Sequence, residues 1–347
     1  MLTNRSFVRR ARGLATLLCF GLLAPAMAPA QTRHDHLSSW NDGPARKAIV
    51  EFVRTTTDKA SPSYVPPAER IATFDNDGTL WLEKPLYIQL QHGLRGIGKT
   101  AAEKPDLRDR QPFKAVYERD TAWLQKIDAE YGRGDLSGVT TLASGIAEAF
   151  SGMTIEAFEA DALDFFSSAQ DARFKKPYKL LTYQPMVELV HALQANDFQV
   201  YITTAGGRDF VRSVCEEIYG IPRSMVIGSG VTLECGEDAA GGLQVLRTKE
   251  IEQPIDDGPG KPLHIHRAIG RRPILAVGNS NSDIHMLRYA TEHAGLTLGL
   301  LLHHDDGERE YAYDTGAELV LPLAAKEGWT VVSMKDDWKT VFADSSD

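Results

Sequence analysis

The sequence has little cysteine, three residues in 347, too few for a disulfide scaffold or a cysteine-rich zinc module. It is also short of positive charge. Thirty-eight Lys and Arg stand against 47 Asp and Glu, a formal net of −9. No basic stripe runs along any segment, which excludes a track for nucleic-acid phosphates. There is no internal repeat. The one long apolar run lies near the start and is too short for a permanent membrane-spanning helix. What remains is 43% hydrophobic and 24% charged, enough apolar content for an ordered globular protein of one large domain or two modest ones.

Arg5, Arg9, Arg10 and Arg12 precede an apolar stretch from Gly13 to Leu23, and small residues follow up to Ala28-Pro29-Ala30. A positive start, a short apolar core and an A-x-A site make a cleavable secretory signal. The expected mature chain is 31–347, cleaved after Ala30, periplasmic or secreted, with no membrane contact thereafter. Losing four arginines and no acid takes the net charge from −9 to −13. Cys215 and Cys235 then remain in a compartment that permits disulfides, and the sequence leaves their pairing open.

From residue 70 onward the pattern is α/β. Short apolar runs at Arg70–Phe74, Phe198–Thr203 and Pro273–Val277 each end in a polar, glycine-containing turn, as buried strands do. Leu296–Leu302 and Trp329–Met334 read as two more strands, and helical spacing marks Met186–Asn196 and Asp209–Tyr219. Such alternation predicts a Rossmann-like parallel sheet with helices on both faces. Between the first and second strands lie more than a hundred residues of helical spacing, as in Thr154–Phe166. A crossover needs about a dozen residues, so this predicts an inserted helical module. The expected division is a signal (1–30), an N-terminal segment (31–69), a core (70–83 and 182–347) and a helical cap (84–181). Alternation around Val231–Leu246 predicts a small hairpin.

Sites in open parallel sheets form outside the carboxyl ends of the strands, and four polar clusters stand at or beside such ends. Asp75 and Asp77 follow the first strand, two residues apart, with Gly78 turning the chain away. Thr204 closes the second, followed by Ala205, Gly206 and Gly207 with free backbone N–H groups. Lys261 opens a short helix before the third, and Asn279 and Asp283 follow it in Gly278-Asn279-Ser280-Asn281-Ser282-Asp283.

These motifs, in this order, resemble those of the haloacid dehalogenase superfamily, and within it the phosphoserine-phosphatase-like phosphohydrolases, in an exported bacterial form. The resemblance implies a Mg²⁺-dependent phosphatase acting on small phosphorylated molecules through a phospho-aspartyl intermediate on Asp75. It implies Asp77 as general acid and base, since a carboxyl two residues after the nucleophile distinguishes phosphate-ester chemistry from dehalogenation. Thr204, with Ala205 and Gly206, would hold phosphoryl oxygens, and Lys261 would offset negative charge. Asp75, the backbone carbonyl of Asp77, Asp283 and Asn279 would hold the metal; Asn279 replaces the Asp of many relatives, which makes Asp283 the expected ligand of the two. A phosphotransferase or phosphomutase would use the same aspartates with an organic acceptor. Glu83, with Trp81 and Lys84, follows the first motif closely enough to be expected at the substrate.

Three further motifs compete. Gly93-Leu94-Arg95-Gly96-Ile97-Gly98-Lys99-Thr100 matches the nucleotide-binding P-loop pattern, yet no buried strand precedes it and Pro105 follows soon after. His264-Ile265-His266 would put both imidazoles on one side only in a strand, and it falls in a predicted helix. His303-His304-Asp305-Asp306 reads as a solvated loop after a core strand rather than as a zinc site.

Overall fold

The computed structural model describes residues 37–131, 135 and 137–343, so the expected signal segment lies outside the described residues. Among the described residues eight strands form: β1 (Ile71–Phe74), β2 (Gln199–Gly207), β3 (Val226–Ser229), β4 (Val231–Glu237), β5 (Leu243–Ile251), β6 (Leu275–Gly278), β7 (Leu298–His303) and β8 (Thr330–Ser333). Six of them make one parallel sheet in the order β3-β2-β1-β6-β7-β8. All four residues of β1 and of β6 are buried, which is why they read as continuous apolar runs rather than as alternation. β4 and β5 pair antiparallel as a separate hairpin.

The strand order reverses at β1, whose neighbours are β2 on one side and β6 on the other. The chain leaves β2 and β6 toward opposite edges, which opens a crevice above the carboxyl ends of these three strands. All four motif clusters lie at this crevice.

Helix α1 (Pro44–Thr57) buries Ala45, Ile49, Phe52, Val53 and Thr56. The stretch between β1 and β2 holds α2 (Ile88–Glu103), α3 (Phe113–Glu118), α4 (Thr121–Tyr131), α5 (Ser137–Ala149) and α6 (Ile155–Ser168), after which α7 (Gln184–Ala195) leads into β2. The single helix expected over 209–219 is two, α8 (Arg208–Arg212) and α9 (Cys215–Tyr219). Val214, at φ −131° between them, interrupts the helical backbone, while Phe210, Val211, Val214 and Cys215 still bury on one side. α10 (Gly260–Ile269) precedes β6, α11 (Ile284–Thr291) follows it, and α12 (Val320–Glu327) and α13 (Met334–Asp337) flank β8.

The P-loop pattern falls inside α2, where it has no loop to make. A methyl group on Gly93 would sit 2.6 Å from Ile146 Cδ1, and one on Gly96 would sit 2.4 Å from Phe150 Cζ. Those glycines let α2 pack closely against the chain around α5, so this segment makes no P-loop.

The β4–β5 hairpin ties the helical insertion down. Gly152 N–H donates to Arg247 O at 2.8 Å, and Arg247 N–H donates to Met153 O at 2.9 Å. The Arg247 guanidinium donates to Asp209 Oδ2 at 2.6 Å and lies 3.8 Å from the Phe158 ring centre. Cys215 is buried and Cys235 exposed, both as free thiols.

Candidate active site

The first motif is built by a turn that needs glycine twice over. Asp75 N–H donates to Val277 O at 2.9 Å, which carries the β1–β6 ladder one residue past the strand. Gly78 has φ +73°, and a methyl group there would sit 2.2 Å from Asn279 Nδ2 and 2.6 Å from Glu83 Oε1. Only glycine accepts that backbone cheaply, and only a bare α-carbon lets the first and fourth motifs touch. Gly78 N–H donates to Trp81 O at 2.9 Å and closes the turn.

Lys261 links the motifs electrostatically. It is fully buried, and its Nζ donates to Asp75 Oδ1 at 2.5 Å, to Asp283 Oδ1 at 2.6 Å and to Thr203 O at 3.4 Å. Burial alone would lower the ammonium's pKa, but the carboxylates of Asp283 and Asp75 outweigh it and raise it, so the lysine is charged. Burial pushes the Asp75 carboxyl well above its ordinary range, Asp283 adds to the rise, and Lys261 opposes it. Two acids around one cation leave a surplus of negative charge.

Asp283 Oδ2 accepts from Asn279 N–H at 2.9 Å and Ser280 N–H at 3.0 Å. Both its oxygens therefore have protein donors, and it holds the fourth motif together. Gly278 is required beneath it, because a methyl group there would lie 2.5 Å from Asp283 Cβ. Asn279 is clamped: its Oδ1 accepts from Thr79 Oγ1 at 3.2 Å and its Nδ2 donates to Glu83 Oε1 at 3.0 Å.

Asp77 is placed by an indole. Trp81 Nε1 donates to Asp77 Oδ1 at 2.8 Å, from a ring that is itself buried. Burial pushes the Asp77 carboxyl up to about 6, with the Trp81 bond opposing and the nearby Glu83 charge adding. A carboxyl that titrates there can both give and take a proton near neutral pH. On the second motif, Thr204 Oγ1 accepts Gly206 N–H at 3.0 Å. Thr203 turns the other way and donates from Oγ1 to the buried Asp256 at 2.9 Å. Ala205 is exposed and Gly206 half-buried.

Glu83 lies inward rather than at the surface of the crevice. It is buried, and its Oε1 accepts from Tyr313 OH at 2.5 Å as well as from Asn279. The residues that brace it come from the loop after β7, which corrects the reading of residues 303–306 as a solvated loop. His304 is buried; its Nε2 lies 2.7 Å from Gly78 O and its Nδ1 3.2 Å from Glu310 Oε2, and its ring stacks on Tyr313 at 4.5 Å. His303 bonds Asp314. His264 and His266 lie on α10, the first bonded to Pro254 O at 2.8 Å.

Among the described residues no three His, Cys, Asp or Glu side chains converge as a ready metal cage. Mg²⁺ asks for less, one or two carboxylates beside waters and phosphate oxygens. The donor chemistry at β1 fits it: hard oxygen atoms, a surplus of negative charge, and an Asp75 Oδ2 with no hydrogen-bond partner among the described residues.

The haloacid dehalogenase-like hydrolase family model matches residues 72–288. Among solved structures, a functionally unknown protein from Anaerococcus prevotii is 16% identical with a TM-score of 0.55, covering 83% of this chain and 91% of that one. A protein of unknown function from Bordetella pertussis is 15% identical with a TM-score of 0.50, covering 76% and 98%. A phosphoserine phosphohydrolase-like protein from Francisella tularensis is 15% identical with a TM-score of 0.43, covering 76% and 94%. At these identities the likeness to the Anaerococcus and Bordetella proteins is one of fold. Comparison with curated proteins gives no match. The match spans well over half the chain and takes in Asp75, Asp77, Thr204, Lys261, Asn279 and Asp283, so this chain belongs to the haloacid dehalogenase-like hydrolases.

Proposed function

We propose that the protein is a Mg²⁺-dependent phosphatase of small organic phosphomonoesters. The observation that carries the reading is the pairing of two differently placed aspartates. Asp75 is held on Lys261 with one oxygen and leaves the other without a partner, while Asp77 hangs from Trp81 with its carboxyl pushed up to about 6. Two carboxyls whose environments separate their roles make a nucleophile and an acid–base group.

In the first step Asp75 Oδ2 attacks phosphorus, the ester P–O bond breaks, and Asp77 gives its proton to the leaving oxygen. In the second, Asp77 takes a proton from water, the hydroxide attacks the phospho-aspartyl phosphorus, and the acyl-phosphate bond breaks to restore Asp75. The Thr204 hydroxyl, with the backbone N–H of Ala205, would hold the phosphoryl oxygens beside Gly206, and Lys261 holds Asp75 in line and opposes the rise that burial imposes on its carboxyl. Mg²⁺ would be held by Asp75 and the backbone carbonyl of Asp77, with Asn279 and Asp283 completing the set, and would supply charge neutralisation to the phosphoryl group. The leader expected in residues 1–30 would place the substrate outside the cytoplasm.

The test is phosphate release by the purified chain from a panel of phosphomonoesters, with Mg²⁺ and with EDTA. Release that requires Mg²⁺, and that Asp75→Asn abolishes while its melting curve stays cooperative, is the expected result. No release from any ester by the folded protein, or substantial turnover by Asp75→Asn, would overturn the reading.

A further inference from the structure

Gln89, in the first turn of α2, reaches from the helical insertion onto the second motif. Its Oε1 accepts Gly207 N–H at 2.6 Å, and that bond fixes which end of the amide is oxygen. A methyl group on Gly206 would sit 2.7 Å from Gln89 Oε1, 3.1 Å from Thr204 Oγ1 and 3.5 Å from Asp77 Oδ2. Three groups from three parts of the chain thus converge over one bare α-carbon. They are the hydroxyl offered to the phosphoryl group, the carboxyl offered to the leaving oxygen, and an amide from the insertion. The other end of the amide lies over Gly207, 2.4 Å from where a methyl group there would be. Gln89 Nε2 has no hydrogen-bond partner among the described residues, and the side chain is only half-buried.

We infer that Gln89 is a specificity-determining residue that reads the leaving group of the substrate. An amide pinned by its oxygen presents its two N–H donors in a fixed direction, over Gly207 and one residue along from the α-carbon on which Thr204 Oγ1 and Asp77 Oδ2 converge. Those donors need an acceptor. The substrate class this favours is an ester whose leaving group carries a hydroxyl or other oxygen acceptor next to the scissile bond, as in polyol or sugar phosphates, over an alkyl phosphate of the same length. An unmet polar donor discriminates more strongly against the apolar analogue than a missing methylene does. The inference rests on the phosphatase reading and sharpens it.

The test compares glycerol 1-phosphate with propyl phosphate, which share chain length and differ in two hydroxyls. The readout is the ratio of their kcat/KM values in the full chain, in Gln89→Glu and in Gln89→Leu. Glu keeps an oxygen for Gly207 N–H but offers no donor; Leu removes both. The wild-type ratio is expected to favour glycerol 1-phosphate by about tenfold, the worth of one good hydrogen bond, and to fall to about one in both variants. A wild-type ratio near one, or a ratio that Gln89→Glu preserves while both substrates slow together, would overturn the role of Gln89 and leave the phosphatase reading standing. Hydrolysis of p-nitrophenyl phosphate but of neither alkyl ester would do the same. No release from any of the three would overturn both.

Discussion

Lys261 Nζ and Asp75 Oδ1 stand 2.5 Å apart at the base of the crevice, 186 residues apart in sequence. The same ammonium is 2.6 Å from Asp283. The lysine is the one side-chain cation bonded to that carboxylate pair among the described residues.

Lys261→Met keeps much of the length and removes the charge, which leaves Asp75 and Asp283 facing each other without compensation. Removing one partner of a buried ion pair costs about 3–5 kcal/mol. The variant is expected to lose activity and to melt well below wild type at pH 7.5. The deficit should narrow toward pH 4, where protonation removes the uncompensated charge. Adding Asp283→Asn should recover part of the stability and none of the activity. A Lys261→Met variant as stable as wild type at pH 7.5 would refute this account of the cluster.

Asp77 should separate esters by leaving group. An alkoxide needs the proton and a nitrophenolate does not, so Asp77→Asn is expected to lower kcat/KM by about 10²–10⁴ for alkyl esters and by much less for p-nitrophenyl phosphate. The acid must be protonated to act, and burial pushes it up to about 6. The protonated share falls tenfold per pH unit above that value, so kcat/KM for an alkyl ester should decline on the alkaline side in wild type. In Asp77→Asn that limb should vanish. Equal losses on both ester types would remove the acid role.

The strand ends and their polar clusters were legible because each couples a short apolar run to a turn, a signal carried by neighbouring residues. β3 was not, since Val226–Ser229 stops one residue short of the β4–β5 hairpin and its apolar run merges with the alternation that starts at Val231. The braces of the site were hidden for a different reason. Tyr313 reaches Glu83 across 230 residues and His304 reaches Gly78 across 226, and nothing local marks a polar loop as destined for burial. The Trp81 brace is more local: a buried indole needs a partner for its N–H, and of the two carboxyls within four residues, Asp77 and Glu83, it is Asp77 that accepts. The P-loop pattern shows the opposite failure, since Gly93 and Gly96 serve close packing in a helix.

Arg247 should matter to the insertion more than to the chemistry. It joins Asp209 at the end of the core crevice to the Phe158 ring in α6, and its backbone pairs with residues 152–153. Arg247→Met spares the backbone pairing but strands a buried carboxylate, with Arg208 and Arg212 nearby at 3.8 and 3.6 Å. A loss of roughly 2–3 kcal/mol is expected, below the full penalty for a broken buried pair because those arginines compensate in part. Hydrogen exchange should quicken in residues 152–158 before it does in β1 or β6. Unchanged protection there would refute the clasp.

His92 gives the same seam a pH dependence. It lies on α2, buried, with its ring stacked 4.8 Å from Phe150 and 5.1 Å from Phe210, and its Nε2 is 2.8 Å from Asp161 Oδ2. Burial holds the imidazole below its ordinary value of 6.5, with Asp161 opposing. In the unfolded chain His92 takes a proton below about 6.5, while in the folded chain it resists. Its contribution is therefore whole above that pH and shrinks as the pH falls toward the folded value, by at most about 1.4 kcal/mol per unit. His92→Phe fits an aromatic ring into the stack and removes the titration. Between pH 7.5 and 5.5 the urea-unfolding free energy of wild type is expected to fall further than that of His92→Phe, because only the wild type must bury a group that its unfolded state protonates. Parallel losses in the two proteins would show that the ring packs at the seam without making the seam sensitive to acid.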